Sequence, residues 1–497
     1  MSMLSKSDWQ KKAKSLKLDT KAFINGKFVD ALSGKTFKTI NPATEEVIVE
    51  VAECDKQDVD VAVRAARQAF TGGAWSKMLP SDRKTILLKW ADLIEKHQEL
   101  FALIETLDMG KAISYAYNDD IPFSFGTIRW YAEAVDKIYD EITPTPDNNA
   151  IAMIRREAVG VVGAVVPWNF PLQMAVWKLA PALAAGNSVV LKPAEQSPLS
   201  ALLAAKLASE AGLPDGVLNV ITGFGETCGK AMGLHVDINV IAFTGSTEVG
   251  KYFLEYSGQS NMKAVWLECG GKSPNLVFAD ADLEMAADNA ARGIWYNQGE
   301  VCSANSRLLV ENKIKEKFIA MLMERGQKNY MPKDPLDPTS MMGAVLDGKQ
   351  HKQILNYIDS GKQSAKLVMG GNPVKIDGKG FFVEPTIFDN VKNDMKIAQE
   401  EIFGPVLSVI GFDSDDEAVS LANDSIYGLA GSVWTNNLSR AHRMADTVHV
   451  GTLSINNVDA GGFTMPFGGF KQSGFGRDLS LHSFDKYTAL KTIWISY

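Results

Sequence analysis

Apolar residues first recur along this chain at helical spacing, in "DVDVAVRAARQAF" and "SDRKTILLKWADLIEKHQELFALIETLD". Ser81 and Asp82 stand ahead of the second pattern as candidate N-caps. The pattern then changes. "VGVVGAVVP", "NSVVLKP", "GVLNVITG", "VIAFTG" and "SPNLVFAD" are short Val/Ile/Leu runs closed by Gly, Pro or Asp, with a helical segment after each of them. Continuous apolar runs of that length are the signature of parallel strands buried on both faces. They predict a doubly wound α/β unit over about 160–268. The alternation restarts after Cys302 with "SRLLVEN", a long amphipathic helix from Lys313 and the Pro-rich loop "MPKDPLDPTSMMG", so a second α/β unit is expected over 269–475. "NAIAMIRREAVG" and the C-terminal "LKTIWISY" alternate as exposed strands do and belong to neither unit. Such edges need covering. Segments 141–159 and 476–497 are therefore expected to serve oligomerisation.

The chain has 497 residues, more than one core usually serves, and 46% of them are hydrophobic against 22% charged. A net charge of −8 disfavours nucleic acid and acidic membrane as partners. Its longest apolar run, near "GVVGAVVPWNFP", is too interrupted to span a bilayer. No period of 20 to 50 residues is visible. "MSMLSKSDWQKKAKSLKL" has neither the apolar core of a secretory signal nor the Arg-rich character of a transit peptide. Cys54, Cys228, Cys269 and Cys302 lie far apart without CxxC spacing, which suits a reducing compartment, and a cytoplasmic location is the simplest reading. The six histidines show no paired spacing, so no metal site is read.

Chemistry is expected where strands end. In "NQGEVCSANSR", Cys302 has small and polar neighbours rather than the aliphatic ones of a packing thiol, which leaves nucleophile, metal ligand, disulfide partner and filler open. "VIAFTGSTEVGK" brings Thr244, Gly245 and Ser246 from a strand into a helix start, a setting for phosphate, although GxGxxG is absent and a plain turn fits as well. "VVLKPAEQSP" spaces Lys192 and Glu195 to grip a ribose, or to form a solvated surface pair. "PWNFP" holds Asn169 in an apolar frame, as an oxyanion donor or as a turn residue bonded to local backbone. "WLECGGKSPN" sets Glu268 at a strand end, as a general base or a surface carboxylate. "EEIFGPVLSV" offers Glu401 and Phe403 for a ribose and a nicotinamide ring, or as a solvated acidic turn.

In order, "PWNFP", "LKPAEQSPLSA", "FTGSTEVG", "LECGGKSPN", "NQGEVC", "EEIFGPV" and "PFGGFKQSGFGR" resemble the NAD(P)-dependent aldehyde dehydrogenase superfamily, from Ala22 to the C-terminus. The resemblance implies a Rossmann-like NAD-binding domain (1–140 and 160–268), a catalytic domain (269–475) and a small β extension through which subunits pair as dimers or tetramers. It implies Cys302 as nucleophile and Asn169 with the Cys302 N–H as oxyanion donors. Glu268 becomes the base that hydrolyses a thioester, and Lys192 is counted with the catalytic residues. For the cofactor it implies Trp168, Lys192, Glu195, Thr244, Gly245, Ser246, Glu401 and Phe403. NAD is preferred to NADP, because the Glu195 carboxylate would repel a 2′-phosphate. The substrate is a small-molecule aldehyde lined by Asp120, Phe170, Trp177 and Phe467. Some members hold a monovalent cation near positions matching Ile40 and Asp108.

"NDDIPFSFGTIRWYAEAVDK" and "QSNMKAVWLECGGKSPN" are similar to bacterial enzymes of polyamine and arginine breakdown, which oxidise γ-glutamylaminobutyraldehyde and related ω-amino aldehydes. On that likeness Asp119 and Asp120 supply negative charge at a tunnel mouth, while Gly462 stands where such relatives often carry another Asp. General aliphatic aldehyde oxidation is the alternative. A catalytically silent member would lack Cys302 or Glu268, and CoA-acylating relatives often lack the base; both residues are present here.

Overall fold

The computed structural model describes residues 3–459 and 461–497; Met1 and Ser2 of the leader reading, and Ala460 of the loop that carries Gly462, lie outside them. Its first sheet has the order Lys27–Val29, Ala22–Ile24, Leu218–Val220, Ser188–Lys192, Val161–Val165, Val240–Thr244, Ala264–Glu268, Gly474–Phe475. The strands from Leu218–Val220 through Ala264–Glu268 are mutually parallel. Four of them are the Val/Ile/Leu runs of the sequence and are buried at every position; Ala264–Glu268 is not among those runs, and the run "SPNLVFAD" lies in the second sheet instead. Each fully buried aliphatic side chain contributes about 1.5–3 kcal/mol. Helices Pro171–Ala184 and Leu199–Ala211 are apolar nearly all round, as elements within a core must be. Chain order reverses between Val161–Val165 and Val240–Thr244: two strands after the first go one way and two go the other. Ligands of open α/β sheets bind at such a switch point.

A second sheet runs Lys366–Met369, Thr386–Asp389, Val406–Phe412, Arg307–Glu311, Pro274–Val277, Ala430–Trp434, Thr452–Ile455. Only its first pair is antiparallel. The amphipathic helix after Arg307–Glu311 begins at Lys315, two residues later than the spacing suggested, because a single tighter turn at Asn312–Ile314 precedes it. Gly474–Phe475 returns to the first sheet and pairs with Glu268 and Leu267.

Two expectations are corrected. Ser81 and Asp82 do not cap their helix. It starts at Pro80, whose fixed φ and missing N–H suit the first helical position, and Asp82 sits in the first turn facing the helix dipole. The two alternating stretches do not await a partner chain in order to pair, since Ala150–Ala158 and Thr488–Ser496 pair with each other, antiparallel, from Ala158↔Thr488 to Ala150↔Ser496. Glu141–Thr143 adds a third strand. What stays uncovered is the outer surface of this ribbon, with Ile142, Leu490 and Trp494 at least half exposed.

Candidate active site

The sequence motifs converge because they follow neighbouring strands. Register places Val165 beside Lys192, Phe243 beside Val165, and Thr244 beside Glu268. The loops carrying Trp168 and Asn169, Lys192 and Glu195, Gly245 and Ser246, and Glu268 itself therefore open onto one crevice at the carboxyl ends. At its floor, Ser246 accepts from Val249 N at 3.2 Å and caps helix Thr247–Gly258, whose N-terminal dipole favours an anion. A Cβ at Gly245 would lie 2.5 Å from the Phe243 ring, so that turn admits no side chain.

Lys192 Nζ donates to Pro193 O at 3.0 Å and to Glu195 Oε2 at 3.2 Å, leaving the carboxylate half-buried at the edge of the crevice. Lys192 is not among the groups acting most strongly on Cys302.

Cys302 is brought in by an unusual turn. Asn297 (φ 49°), Gln298 (φ 46°) and Gly299 (φ 75°) are all left-handed, a conformation that costs the two side-chain-bearing residues about 1–3 kcal/mol each unless their surroundings over-determine it. They are over-determined here. Asn297 Nδ2 donates to Asn169 O (3.1 Å) and Glu300 O (3.2 Å); Gln298 Nε2 donates to Glu300 Oε2 (3.0 Å), and Leu346 N to Glu300 Oε1 (3.1 Å). Asn169 Nδ2 donates to Glu300 O at 2.9 Å, which uses one amide hydrogen and leaves the other. The Cys302 N–H donates to no acceptor among the described residues.

The thiol meets Glu268. Burial raises the Cys302 pKa well above the ordinary thiol range, and the negative charges of Glu268, Glu401 and Asp459 add to it. Glu268 is 4% exposed, and neither carboxylate oxygen has a hydrogen-bond partner, although Thr244 and Cys302 stand beside it. Burial pushes it up to about 7, against the pull of Lys178. A carboxylate half-ionised at neutral pH and free of partners is matched to proton transfer. Glu401 accepts from Gly271 N at 3.1 Å and is likewise raised by burial to about 7. Phe403, itself left-handed (φ 55°), sets its ring edge-on to Trp168 at 5.2 Å, and Gln350 Nε2 holds the Phe403 carbonyl at 2.8 Å. Glu401 is therefore not a solvated carboxylate, whereas Glu400 beside it is exposed. The other three cysteines are buried packing thiols, with Cys228 Sγ on Cys54 O at 2.9 Å.

Of the expected substrate residues, Trp177 packs on Phe467 (5.3 Å) and Phe123 (6.3 Å), and Phe123 on Phe463 (4.8 Å), making an aromatic wall. Phe170 stacks on Tyr296, with Lys111 Nζ 3.7 Å over its ring. Asp120 is corrected. It is 1% exposed, ion-paired to Lys111 and bonded by Tyr296 Oη at 3.1 Å, so it presents no free charge to a substrate. Asp119 is the half-exposed one and pairs with Arg292 at 3.3 Å.

Sequence reasoning missed a buried cluster behind Glu268, in which Lys178 and Lys486 both pair with Asp478. A signal existed in "QMAVWKLAPALA", where Lys178 is the lone charge in an apolar helix. Nothing local to "GRDLS" marks Asp478.

The crevice, its capped helix start and a thiol facing a partnerless glutamate agree with the comparisons. The aldehyde dehydrogenase family model matches residues 28–493. The chain is 51% identical over 489 residues to the NADP/NAD-dependent aldehyde dehydrogenase PuuC of Escherichia coli (strain K12), covering 98% of each. Among solved structures, the P. syringae AldA indole-3-acetaldehyde dehydrogenase, a mutant in complex with NAD+ and IAA, matches with TM-score 0.98 and 53% identity over 100% of both chains. The gamma-glutamyl-gamma-aminobutyraldehyde dehydrogenase of Burkholderia cenocepacia J2315 matches with TM-score 0.97 and 52% identity, covering 99% of this chain and 100% of its own. With Cys302 and Glu268 in place at the crevice these enzymes share in fold, this chain belongs to the aldehyde dehydrogenase family.

Proposed function

We propose that the enzyme oxidises an aliphatic or ω-amino aldehyde to its carboxylic acid through a covalent adduct on Cys302, with NAD as cofactor and NADP as a weaker alternative. The observation that carries this reading is the buried Glu268 beside the thiol, with both oxygens unpartnered. The residues present fit a dinucleotide: a switch-point crevice, a capped helix start, an orphaned Thr244 hydroxyl and the Lys192–Glu195 pair. Glu195 and Lys192 would hold the adenosine ribose, Gly245 and Ser246 the pyrophosphate, and Trp168, Glu401 and Phe403 the nicotinamide half.

Cys302 attacks the aldehyde carbon as the thiolate, its proton having left to solvent, and the carbonyl oxygen becomes an oxyanion. The free hydrogen of Asn169 Nδ2 and the Cys302 N–H would hold it. NAD, when bound, supplies the acceptor for the hydride that leaves this adduct as it becomes a thioester. Glu268 then takes a proton from water, whose oxygen adds to the thioester carbon, and the C–S bond breaks. Hydrolysis to the acid follows from having a base at this position. The aromatic wall from Trp177 to Phe463 favours an apolar stem, and the names of the Escherichia and Burkholderia relatives support an amino-aldehyde substrate. The exposed apolar ribbon Thr488–Ser496 supports a homodimer or homotetramer, and four free thiols suit the cytoplasm.

The test is the pair Cys302→Ala and Glu268→Gln in rapid mixing. The first should form no NADH; the second should release up to one NADH per subunit in a burst and then turn over slowly. Normal turnover in either variant removes that residue from its role.

A further inference from the structure

The aromatic wall changes character along its length. At one end Trp177 is 6% exposed and packs on both Phe467 and Phe123. At the other, Phe463 is only half-buried and joins the wall through Phe123, at 4.8 Å. The seat of its ring lies in helix Ile121–Ala134. The ring points at Gly126 tip first: an added Cβ there would lie 2.7 Å from Phe463 Cζ and 3.3 and 3.5 Å from the two Cε atoms. Glycine is a poor residue for a helix interior, yet Gly126 stands in the middle of this one. The space of its missing side chain is the notch that the ring tip fills.

The loop that carries Phe463 starts beside the nucleophile. Ser303 Oγ donates to Asp459 Oδ2 at 3.1 Å, and the Asp459 charge acts on Cys302. Four residues span at most about 14 Å, so Phe463 stands within that reach of Asp459. Two backbone bonds of 2.8 Å pin the loop: Phe463 O accepts from Ser480 N, and Phe467 N donates to Asp478 O. Between Asp459 and Met465 the sequence is Ala-Gly-Gly-Phe-Thr, so Phe463 is the single large side chain of this stretch. Its ring crosses from the pinned loop to the helix as a bar.

We propose that Phe463, latched in the notch at Gly126, is the specificity-determining residue at the outer end of the substrate crevice, admitting slender unbranched aldehydes and excluding those that carry a branch or a ring. This rests on the proposed oxidation of an aldehyde at Cys302 and narrows its substrate class. A straight alkyl or ω-amino chain passes beside the bar. A cyclohexyl or naphthyl group requires the ring to swing out, which breaks the contact with Phe123 and empties the notch. Selectivity of this kind comes from a clash built against the wrong ligand rather than from an added attraction to the right one. Gly126 touches no substrate in this scheme; it is a positioning residue that acts through the ring.

The test follows NADH formation by the full-length enzyme with two slender aldehydes, hexanal and 3-aminopropanal, and two bulky ones, cyclohexanecarbaldehyde and 2-naphthaldehyde. The readout is kcat/KM for each bulky aldehyde divided by that for hexanal. Phe463→Ala removes the bar and should raise both ratios roughly tenfold or more. Gly126→Ala fills the notch, pushes the ring back along its own axis, and should raise both ratios by a smaller factor. The double variant should match Phe463→Ala alone, because without the ring the notch has nothing to hold. A merely structural role of Gly126 would not produce that non-additivity, and additive effects would remove Gly126 from the proposal. Two results overturn the bar itself: unchanged ratios in both single variants, or a fall in the 2-naphthaldehyde ratio in Phe463→Ala, which would make the ring a stacking platform. Wild-type turnover of hexanal beside unmoved ratios refutes only the bar, whereas a wild type that oxidises neither slender aldehyde refutes the underlying reading.

Discussion

The turn that follows Glu268 and the turn that precedes Cys302 meet at the same point and each carries a buried glutamate, but the fold treats the two carboxylates oppositely. Glu300, fully buried, has one oxygen bonded by Leu346 N and the other by Gln298 Nε2. Glu268, almost as buried, has neither oxygen bonded. A saturated carboxylate holds a strained backbone in place, whereas an orphaned one sits at a cost in stability and remains available for chemistry. Their ionisation makes the same point. Burial raises both, but Glu300 is anchored as an acceptor, while Glu268, at about 7, can gain and lose a proton at neutral pH.

That contrast predicts which variant fails in which assay. The largest effect belongs to Glu268→Gln, which should slow steady-state turnover by roughly 10²–10⁴-fold while sparing the burst. In wild type, deacylation should decline as pH falls through 7, since the base works only when ionised. The same substitution should stabilise the fold. A carboxyl whose folded pKa is raised destabilises the fold fully above about 7 and not at all below its ordinary value, so the gain in denaturant midpoint should shrink between pH 7 and pH 4.5. A midpoint that falls at pH 8 would mean that Glu268 carries hydrogen bonds after all.

Glu300→Ala comes next, as a stability effect. It strands the Leu346 N–H and the Gln298 amide inside the core and should cost about 3 kcal/mol in urea unfolding. Glu300→Gln keeps an acceptor and should cost less. Selective loss of deacylation in Glu300→Gln, at unchanged stability, would erase the distinction between the two glutamates.

A smaller effect concerns Cys302 itself. Glu268 raises the thiol, so Glu268→Gln should increase its iodoacetamide alkylation at pH 8 severalfold; slower alkylation would make Glu268 the group that deprotonates the thiol in the free enzyme. Cofactor choice should move least. Glu195→Ala should narrow an NAD preference of roughly tenfold in kcat/KM, because it removes a like charge from the 2′-phosphate site. A wild-type preference for NADP would show that Glu195 turns away from the ribose.

Local pattern carried much of this molecule. Four of the five parallel strands of the first sheet are visible as Val/Ile/Leu runs alternating with helical segments, because burial on both faces of a strand constrains every residue within it. The places of Cys302, Glu268, Asn169, Lys192 and Gly245 at strand ends and tight turns follow from the same reading. Spacing failed where a charge has its partner far away in sequence. Asp120 read as an exposed anion because Lys111 nine residues earlier, and Tyr296 176 residues later, are brought to it only by packing. Lys178 and Asp478, 300 residues apart, carry no shared motif. The pairing of Ala150–Ala158 with Thr488–Ser496 was likewise invisible, since alternation shows that a strand needs a neighbour without showing which one. Periodicity records the environment of a single element. Whether a buried charge is neutralised or left orphaned depends on which distant residues the packing places against it, and that is decided only when the chain has closed.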